Sequence, residues 1–175
     1  MALYMHFFRL LLGASLLASI AAWTACAPVA APITKAHAMG ERVNVGSLVY
    51  NVFETQWKSQ LGEGADARVP KDRFFLVHLS IGNSSAADLM VPTTTLVDDS
   101  GQTFTELGDG DGVPSWIGFL RHVKPAETLV GNIVFDAPPK HFRLRVSDEN
   151  SQKTQEIDIP LNFNSDTTEI PQPVQ

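Results

Sequence analysis

The chain has 175 residues, of which 44% are hydrophobic and 18% are charged. This composition suits one folded domain and excludes disorder over the whole length. Lys and Arg number 13 and Asp and Glu 19, and the resulting net charge of −6 disfavours binding to nucleic acid. The single cysteine excludes an intramolecular disulfide and a zinc site built from several cysteines.

Residues 1–25 have the pattern of a signal peptide. Residues 10–23 are almost all apolar or small, and Arg9 precedes them as the only positive charge. This run is shorter than the roughly 20 residues that a bilayer-spanning helix needs, but it suits the hydrophobic centre of an export signal. We therefore expect the chain to be exported.

Two cleavage patterns follow the apolar run. Residues 23–26 end in Cys26 and resemble the lipobox of bacterial lipoproteins, which predicts cleavage before Cys26 and its lipidation. Residues 36–38, Ala-His-Ala, suit ordinary signal peptidase and predict a mature chain that starts at Met39. We favour lipidation because Cys26 closes the apolar run and the Ala- and Pro-rich residues 26–39 would then form a tether. Simple secretion and an uncleaved anchor are the alternatives.

Residues 40–163 alternate between β-rich runs and turn residues, which predicts an all-β domain. The strongest strand pattern covers residues 75–81, where side chains alternate with a period of two. Pro92 interrupts the run 89–97 and indicates an edge or a bulge. Further strand-like runs cover residues 43–52, 103–105, 128–135, 141–146 and 154–159.

About eight short strands, with no helical apolar stripe after residue 39, predict an immunoglobulin-like sandwich of two antiparallel sheets. Two long loops, residues 59–72 and 107–115, separate some of the strands. We expect the polar residues 164–175 to form a disordered tail. The side chains expected inside the sandwich are Phe75, Val77, Leu79, Ile81 and Phe135.

Four segments carry a family resemblance. They are a bulky alternating strand that ends in Asn (residues 74–85), an Asp-Ser-Gly hairpin (98–104), a Lys-Pro-Ala-Glu turn (124–127) and a Gly-Asn-Ile-Val-Phe-Asp-Ala-Pro strand (131–138). Together they resemble the bacterial immunoglobulin-like envelope family Domain of Unknown Function four-three-five-two, which is related in fold to a secreted immunogenic protein of mycobacteria. The resemblance implies a β-sandwich in a lipoprotein or secreted protein and brings no catalytic residues. Ala126 stands where the family usually has Gly.

The best metal candidates are Asp109 and Asp111, on the glycine-rich sequence of residues 109–112. Carboxylates on a flexible loop can bind calcium, and Asp98, Asp99 and Glu106 are near in sequence. The match to an EF-hand fails because Val113 stands where a third oxygen ligand belongs. A solvated connection is the ordinary interpretation of such a loop. The histidines have no zinc spacing, and we expect no cofactor.

Trp116 and Phe119 lie in an apolar segment that follows this loop directly. Exposed aromatic side chains often anchor a partner, which makes the two residues candidates for binding. The alternative is that the segment closes one end of the sandwich as part of its core.

The sequence contains no arrangement typical of an enzyme, since Ser115 and Ser147 lack the Gly-x-Ser-x-Gly context. We therefore expect a non-enzymatic domain of the cell envelope, lipid-anchored at Cys26 or else secreted, that serves in recognition or structural support. Its partner would be an unknown envelope protein or ligand, with contact to the membrane through the lipid and none to nucleic acid. An exported carrier of a ligand or of calcium is the alternative, and a hydrolase is a more distant one.

Overall fold

The structure of the protein is a computed structural model, and it describes residues 35–161. The signal peptide, Cys26, most of the tether and the expected tail lie outside the described residues. The elements are β1 (His37–Ala38), β2 (Val43–Val45), β3 (Leu48–Lys58), a 3₁₀ turn (Gly64–Asp66), β4 (Phe74–Asn83), β5 (Leu89–Met90), β6 (Thr95–Asp98), β7 (Thr103–Thr105), β8 (His122–Val123), β9 (Thr128–Asp136), β10 (Phe142–Ser147) and β11 (Thr154–Ile159). No helix within residues 35–161 is long and apolar enough to cross a membrane.

The strands form two main sheets. The five-stranded sheet has the order β1-β11-β10-β6-β7, and the four-stranded sheet has the order β2-β3-β4-β9. All pairs in them are antiparallel except β1 with β11, which is parallel. The expected immunoglobulin-like sandwich is confirmed, with β5 and β8 added as a separate antiparallel ribbon.

The core lies between the two sheets. All five side chains expected there are buried. Aromatic rings dominate one region, where the Trp57 ring is tilted against Phe75 with 4.2 Å between ring centroids, and Phe104 meets Phe142 edge-on with 5.5 Å between centroids. The hydroxyl of Tyr50, on the four-stranded sheet, donates to the carbonyl oxygen of Ser147 on the other sheet at 2.8 Å. Burial raises the pKa of Tyr50. The sheets are therefore joined by apolar packing and by a polar contact.

Strand β4 is buried on both faces over its first four residues. Its inner residues join the main core, while Phe74 and Leu76 point outward into a second apolar cluster with Leu61, Val113 and Val134. Leu61 and Val113 come from the two long loops, so these loops cover one half of the outer face of the four-stranded sheet. The other half is left open.

Two boundaries differ from the expectation. Among the described residues, strand pairing begins at β1, before residue 40, because His37 and Ala38 pair with Ile157 and Asp158 of β11. A strand of two residues has no alternation that a sequence pattern could show. The run 89–97 is two strands, β5 and β6, which belong to different sheets, so the break near Pro92 is a change of sheet.

The turn at residues 124–127 is a tight one in which the N–H of Glu127 donates to the carbonyl of Lys124 at 3.0 Å. Ala126, at its third position, has a φ of 57°. This is the left-handed conformation that favours glycine, as in a type II turn with Pro at the second position. Alanine thus keeps the turn that the family forms with glycine, at a cost in backbone strain.

The Asp98 hairpin is held by hydrogen bonds to one buried carboxylate. Asp98 accepts from the hydroxyl of Ser100 at 2.6 Å, from the ammonium of Lys140 at 3.0 Å and from the N–H of Gln102 at 2.9 Å. These contacts, that of Ser100 first, hold the pKa of Asp98 well below its usual range. Asp98 is therefore a turn-forming residue, and its carboxylate is bonded to the hairpin and to Lys140.

Candidate functional site

The loop of residues 107–120 is closed at its base by a buried ion pair. Arg121 donates to Glu106 with two nitrogens, Nη1 to Oε1 at 2.6 Å and Nη2 to Oε2 at 2.8 Å. The side chains are 4% and 0% exposed, respectively. Glu106 also accepts from the hydroxyl of Thr94 at 2.8 Å, and Arg121 donates to the carbonyl of Gly118. Glu106, considered above as a neighbour of a metal loop, is instead the anchor for an arginine.

Trp116 lies within this loop and is half-buried. Its ring packs on the second apolar cluster and covers Gly110, where a Cβ atom would overlap the ring. The indole Nε1 is buried and has no hydrogen-bond partner. Trp116 therefore packs against the second apolar cluster as a partly buried residue.

The segment around Trp116 is also bonded to the edge of the four-stranded sheet. The N–H of Asn132 donates to the carbonyl of Ser115 at 2.9 Å, and the N–H of Ile117 donates to the carbonyl of Asn132 at 3.2 Å. The contact needs a glycine at 131, because a Cβ there would overlap the Ser115 carbonyl. The glycine of the family-like strand 131–138 is thus explained by a close backbone approach.

Asp109 and Asp111 are tied to an arginine from the other long loop. Arg68 donates to the carbonyl oxygen of Asp111 at 2.8 Å and lies 3.4 Å from the Asp109 carboxylate, and its guanidinium sits over the Phe74 ring at 5.4 Å. Among residues 35–161, no three His, Cys, Asp or Glu side chains come together in a way that could hold a metal ion. The two aspartates therefore help to join the two long loops.

Beyond Trp116 the segment turns outward. Phe119 is 38% exposed and lies beside Gly108, while Leu120 is 60% exposed. Leu120 lines a shallow cleft of about 400 Å³ together with Met90, Val91 and Pro92, as well as Thr93, Glu149 and Ser151. Met90 is 49% exposed. We call the three apolar side chains Met90, Pro92 and Leu120 the Leu120 rim.

The backbone of this segment is strained at two residues. Ser115 has a φ of 47° and Leu120 a φ of 52°, whereas Gly118 between them has a φ of 83°, which glycine adopts readily. For a residue with a branched apolar side chain, the left-handed conformation costs roughly 1–2 kcal/mol. Strain of this kind persists only where the surroundings enforce it, and it concentrates at functional sites. Here the next residue is the buried Arg121, which fixes the chain on one side.

A second polar grouping lies on the five-stranded sheet. His141 is within 3.0 Å of the Asp99 carboxylate through Nδ1 and within 2.8 Å of Asp158 through Nε2. The hydrogen bond to Asp99 and then that to Asp158 raise the pKa of His141 against the effect of burial. The two carboxylates therefore stabilise the charged form of the imidazole.

The sequence did not indicate that Leu120 and Met90 line the same cleft, and it gave no role to Arg121. Leu120 belongs to the apolar segment that was noted, but Met90 comes from another strand, and β5 meets β8 only in the fold. A charge directly after an apolar run, such as Arg121, was the one available signal of a buried ion pair. Cys26 lies outside the described residues.

Solved structures of similar fold share little sequence with this chain. The yjhA protein of Bacillus subtilis is 14% identical, with a TM-score of 0.53, over 71% of this chain and 99% of that one. A functionally unknown protein from Listeria monocytogenes is 14% identical, with a TM-score of 0.52, over 74% and 87%. MPT63, a secreted protein from Mycobacterium tuberculosis, is 12% identical, with a TM-score of 0.49, over 73% and 98%.

At such identities the likeness to the first two structures shows the fold alone. None of the curated proteins matches this chain. The family resemblance carried by the strand and turn motifs is confirmed, because the family's sequence model matches residues 37–156, from the start of β1 into β11. The chain belongs to the family described as Domain of unknown function (DUF4352).

Proposed function

We propose that this protein is a non-enzymatic β-sandwich domain of the cell envelope that binds a partner protein through the Leu120 rim. The observation that carries the proposal is the exposure of Leu120, 60%, on a backbone with a φ of 52°. A solvent-exposed leucine in this conformation contributes nothing to the core and adds strain. Contact with a partner would bury the Leu120 side chain, which the fold leaves exposed.

The surroundings of the rim suit protein recognition. Arg121 and Glu106 fix the chain beside Leu120, so the apolar side chain is presented on a rigid base, which lowers the entropic cost of binding. Polar groups of Glu149 and Ser151 border the apolar side chains in the same cleft. An apolar centre with a polar border is the usual arrangement of a protein interface.

The test is the double variant Met90→Gln with Leu120→Asn. Asparagine tolerates the left-handed conformation better than leucine does, so we expect the melting temperature to stay the same or rise slightly. Partner capture by crosslinking in the envelope fraction should fall at least about tenfold, since two apolar anchors are lost. The matched control is Val69→Asn, which removes an exposed apolar side chain, 78% exposed, from the other long loop.

The outcome is decided by comparing the two variants. The control should capture the same partner as the natural chain. If the double variant retains that capture, or if the control loses it equally, the Leu120 rim does not bind the partner and the proposed recognition is wrong.

We also propose that the chain is exported and anchored through lipid on Cys26. The support is the position of β1: cleavage after Ala38 would remove both residues that pair with β11, whereas cleavage before Cys26 leaves β1 intact. Cleavage after Ala38 would also remove two hydrogen bonds to the carboxylate of Glu41. They are formed by the ring of His37 at 2.8 Å and by the N–H of Ala38 at 3.0 Å. Residues 26–34 would then link the lipid to the fold.

Mass spectrometry of the mature N-terminus tests this directly. We expect Cys26 as the first residue, with label from a palmitate analogue, and Cys26→Ser should leave the protein unlabelled and out of the processed membrane fraction. The control Ala38→Leu, which removes the small residue that ordinary signal peptidase needs, should leave processing unchanged. A mature chain that starts at Met39 and carries no label would contradict the proposal.

A further inference from the structure

The open half of the outer face of the four-stranded sheet contains a polar cleft of about 350 Å³. Its floor is formed by neighbouring strands: Val49 and Asn51 on β3, then Ser80 and Gly82 on β4, and Thr128 at the start of β9. The Leu120 rim does not contribute to it. The cleft is therefore a separate feature from the proposed protein-binding site.

The cleft exists because residue 82 has no side chain. The backbone does not require glycine there, since Gly82 is not among the glycines with a positive φ. A Cβ atom at this position would lie 3.3 Å from the Thr128 hydroxyl and 3.9 Å from the Val49 Cβ, within the floor of the cleft. Glycine inside a strand weakens it, and it often marks a place where a ligand approaches the backbone.

The polar residues that line the cleft fall into two groups. The side chains of Asn83, Ser84 and Glu127 are hydrogen-bonded within the protein, whereas others have no such partner. The Oδ1 atom of Asn51 is buried and has no hydrogen-bond partner. Within residues 35–161, the side chains of Arg42, Ser80 and Thr128 make no hydrogen bond either, although all of them line the cleft. A buried amide oxygen without a partner costs free energy, which a ligand hydrogen bond to a rotated Asn51 amide would recover.

Charges of both signs border the cleft. Arg42 and Glu127 both line it, but no ion pair joins them in the described chain. One carboxylate oxygen of Glu127, Oε2, accepts from the N–H of Lys124 at 2.9 Å, which holds the side chain in place and leaves the other oxygen free. A cation and an anion thus line the same cavity without forming an ion pair in the described chain, and the cavity volume is at the small end of that of ligand pockets.

We infer that this cleft binds a small zwitterion, a free amino acid or a dipeptide. Arg42 would take the carboxylate and Glu127 the ammonium group, because each charge in the cleft then meets its opposite. The amide of Asn51 and the hydroxyls of Ser80 and Thr128 would bond to the polar atoms between the two ends. The inference goes beyond the proposed partner binding and uses none of its residues.

The experiment is a titration of the ¹⁵N-labelled mature protein followed by NMR. The probes are alanyl-alanine and alanine, with acetate and ethylamine as ligands that carry one charge each. We expect alanyl-alanine to shift the amide signals of residues 80–82 and 127–128 until the cleft is saturated. Acetate and ethylamine should bind at least about tenfold more weakly than alanyl-alanine.

Three variants and a control test the assignment of roles. Arg42→Gln and Glu127→Gln should each weaken alanyl-alanine about tenfold or more, because each removes one charge-assisted contact. Gly82→Val should abolish binding by filling the floor. Gly108→Ala is the control, since it adds a side chain to a glycine of ordinary φ that lies beside Phe119, outside the cleft.

Three results would each overturn the inference. They are shifts confined to residues outside the cleft, acetate binding as tightly as alanyl-alanine, and unchanged affinity in Arg42→Gln. The charge variants lie at the surface and do not disturb the core, so the test stands even if Gly82→Val fails to fold. None of these outcomes bears on partner capture by the Leu120 rim.

Discussion

Glu106→Ala is expected to destabilise the fold by about 3–5 kcal/mol, because it leaves the charge of Arg121 buried without its partner. The side chain of Arg121 is 4% exposed, and both of its terminal nitrogens donate to Glu106. In the variant, the guanidinium would keep only its bond to the Gly118 carbonyl. Urea unfolding measures the loss, and the midpoint should fall while the slope stays the same.

The double variant Glu106→Gln with Arg121→Met separates the cost of an unpaired buried charge from the cost of losing the side-chain contacts that close the loop. It removes both charges and keeps an acceptor for the hydroxyl of Thr94, so we expect it to recover more than half of the stability lost in Glu106→Ala. A cost below about 1 kcal/mol for Glu106→Ala, as for a surface ion pair, would contradict the burial of this pair. It would also remove the rigid base that we assign to Leu120.

The features that could be predicted from the sequence are those set by local alternation. The inner face of β4 follows from a period of two, and the same strand's partner, β9, shows a β-rich run that ends in Asp136. Turn residues such as Pro125 mark the ends of strands. These signals are short in range, so one chain segment is enough to show them.

The features that could not be predicted depend on partners far apart in sequence. Glu106 and Asp109 were grouped as acidic neighbours, but the fold gives each its own arginine, Arg121 and Arg68. An acidic residue has the same appearance in a sequence whether it binds calcium or an arginine. Likewise, the sequence of Trp116 and Phe119 does not show that one ring turns inward onto Gly110 and the other outward.

Phe135→Ala is expected to cost about 3–5 kcal/mol through lost apolar burial and the cavity that remains. Phe135 is fully buried in the main core and pairs with Phe75 across β9 and β4. The matched control is Phe53→Ala on β3. Phe53 is the extra residue of a bulge between Val52 and Glu54, and it is 46% exposed on the outer face.

The same chemical change at the two positions isolates the effect of burial. We expect Phe53→Ala to cost less than about 1 kcal/mol, because its ring loses only a partial contact with His78 at 5.8 Å. Thermal unfolding of both variants in one buffer provides the comparison. If the two substitutions cost the same free energy, the bulge does not turn Phe53 outward. The register of β3 beyond Val52 would then have to shift by one residue, and such a shift exchanges the inner and outer faces of the strand.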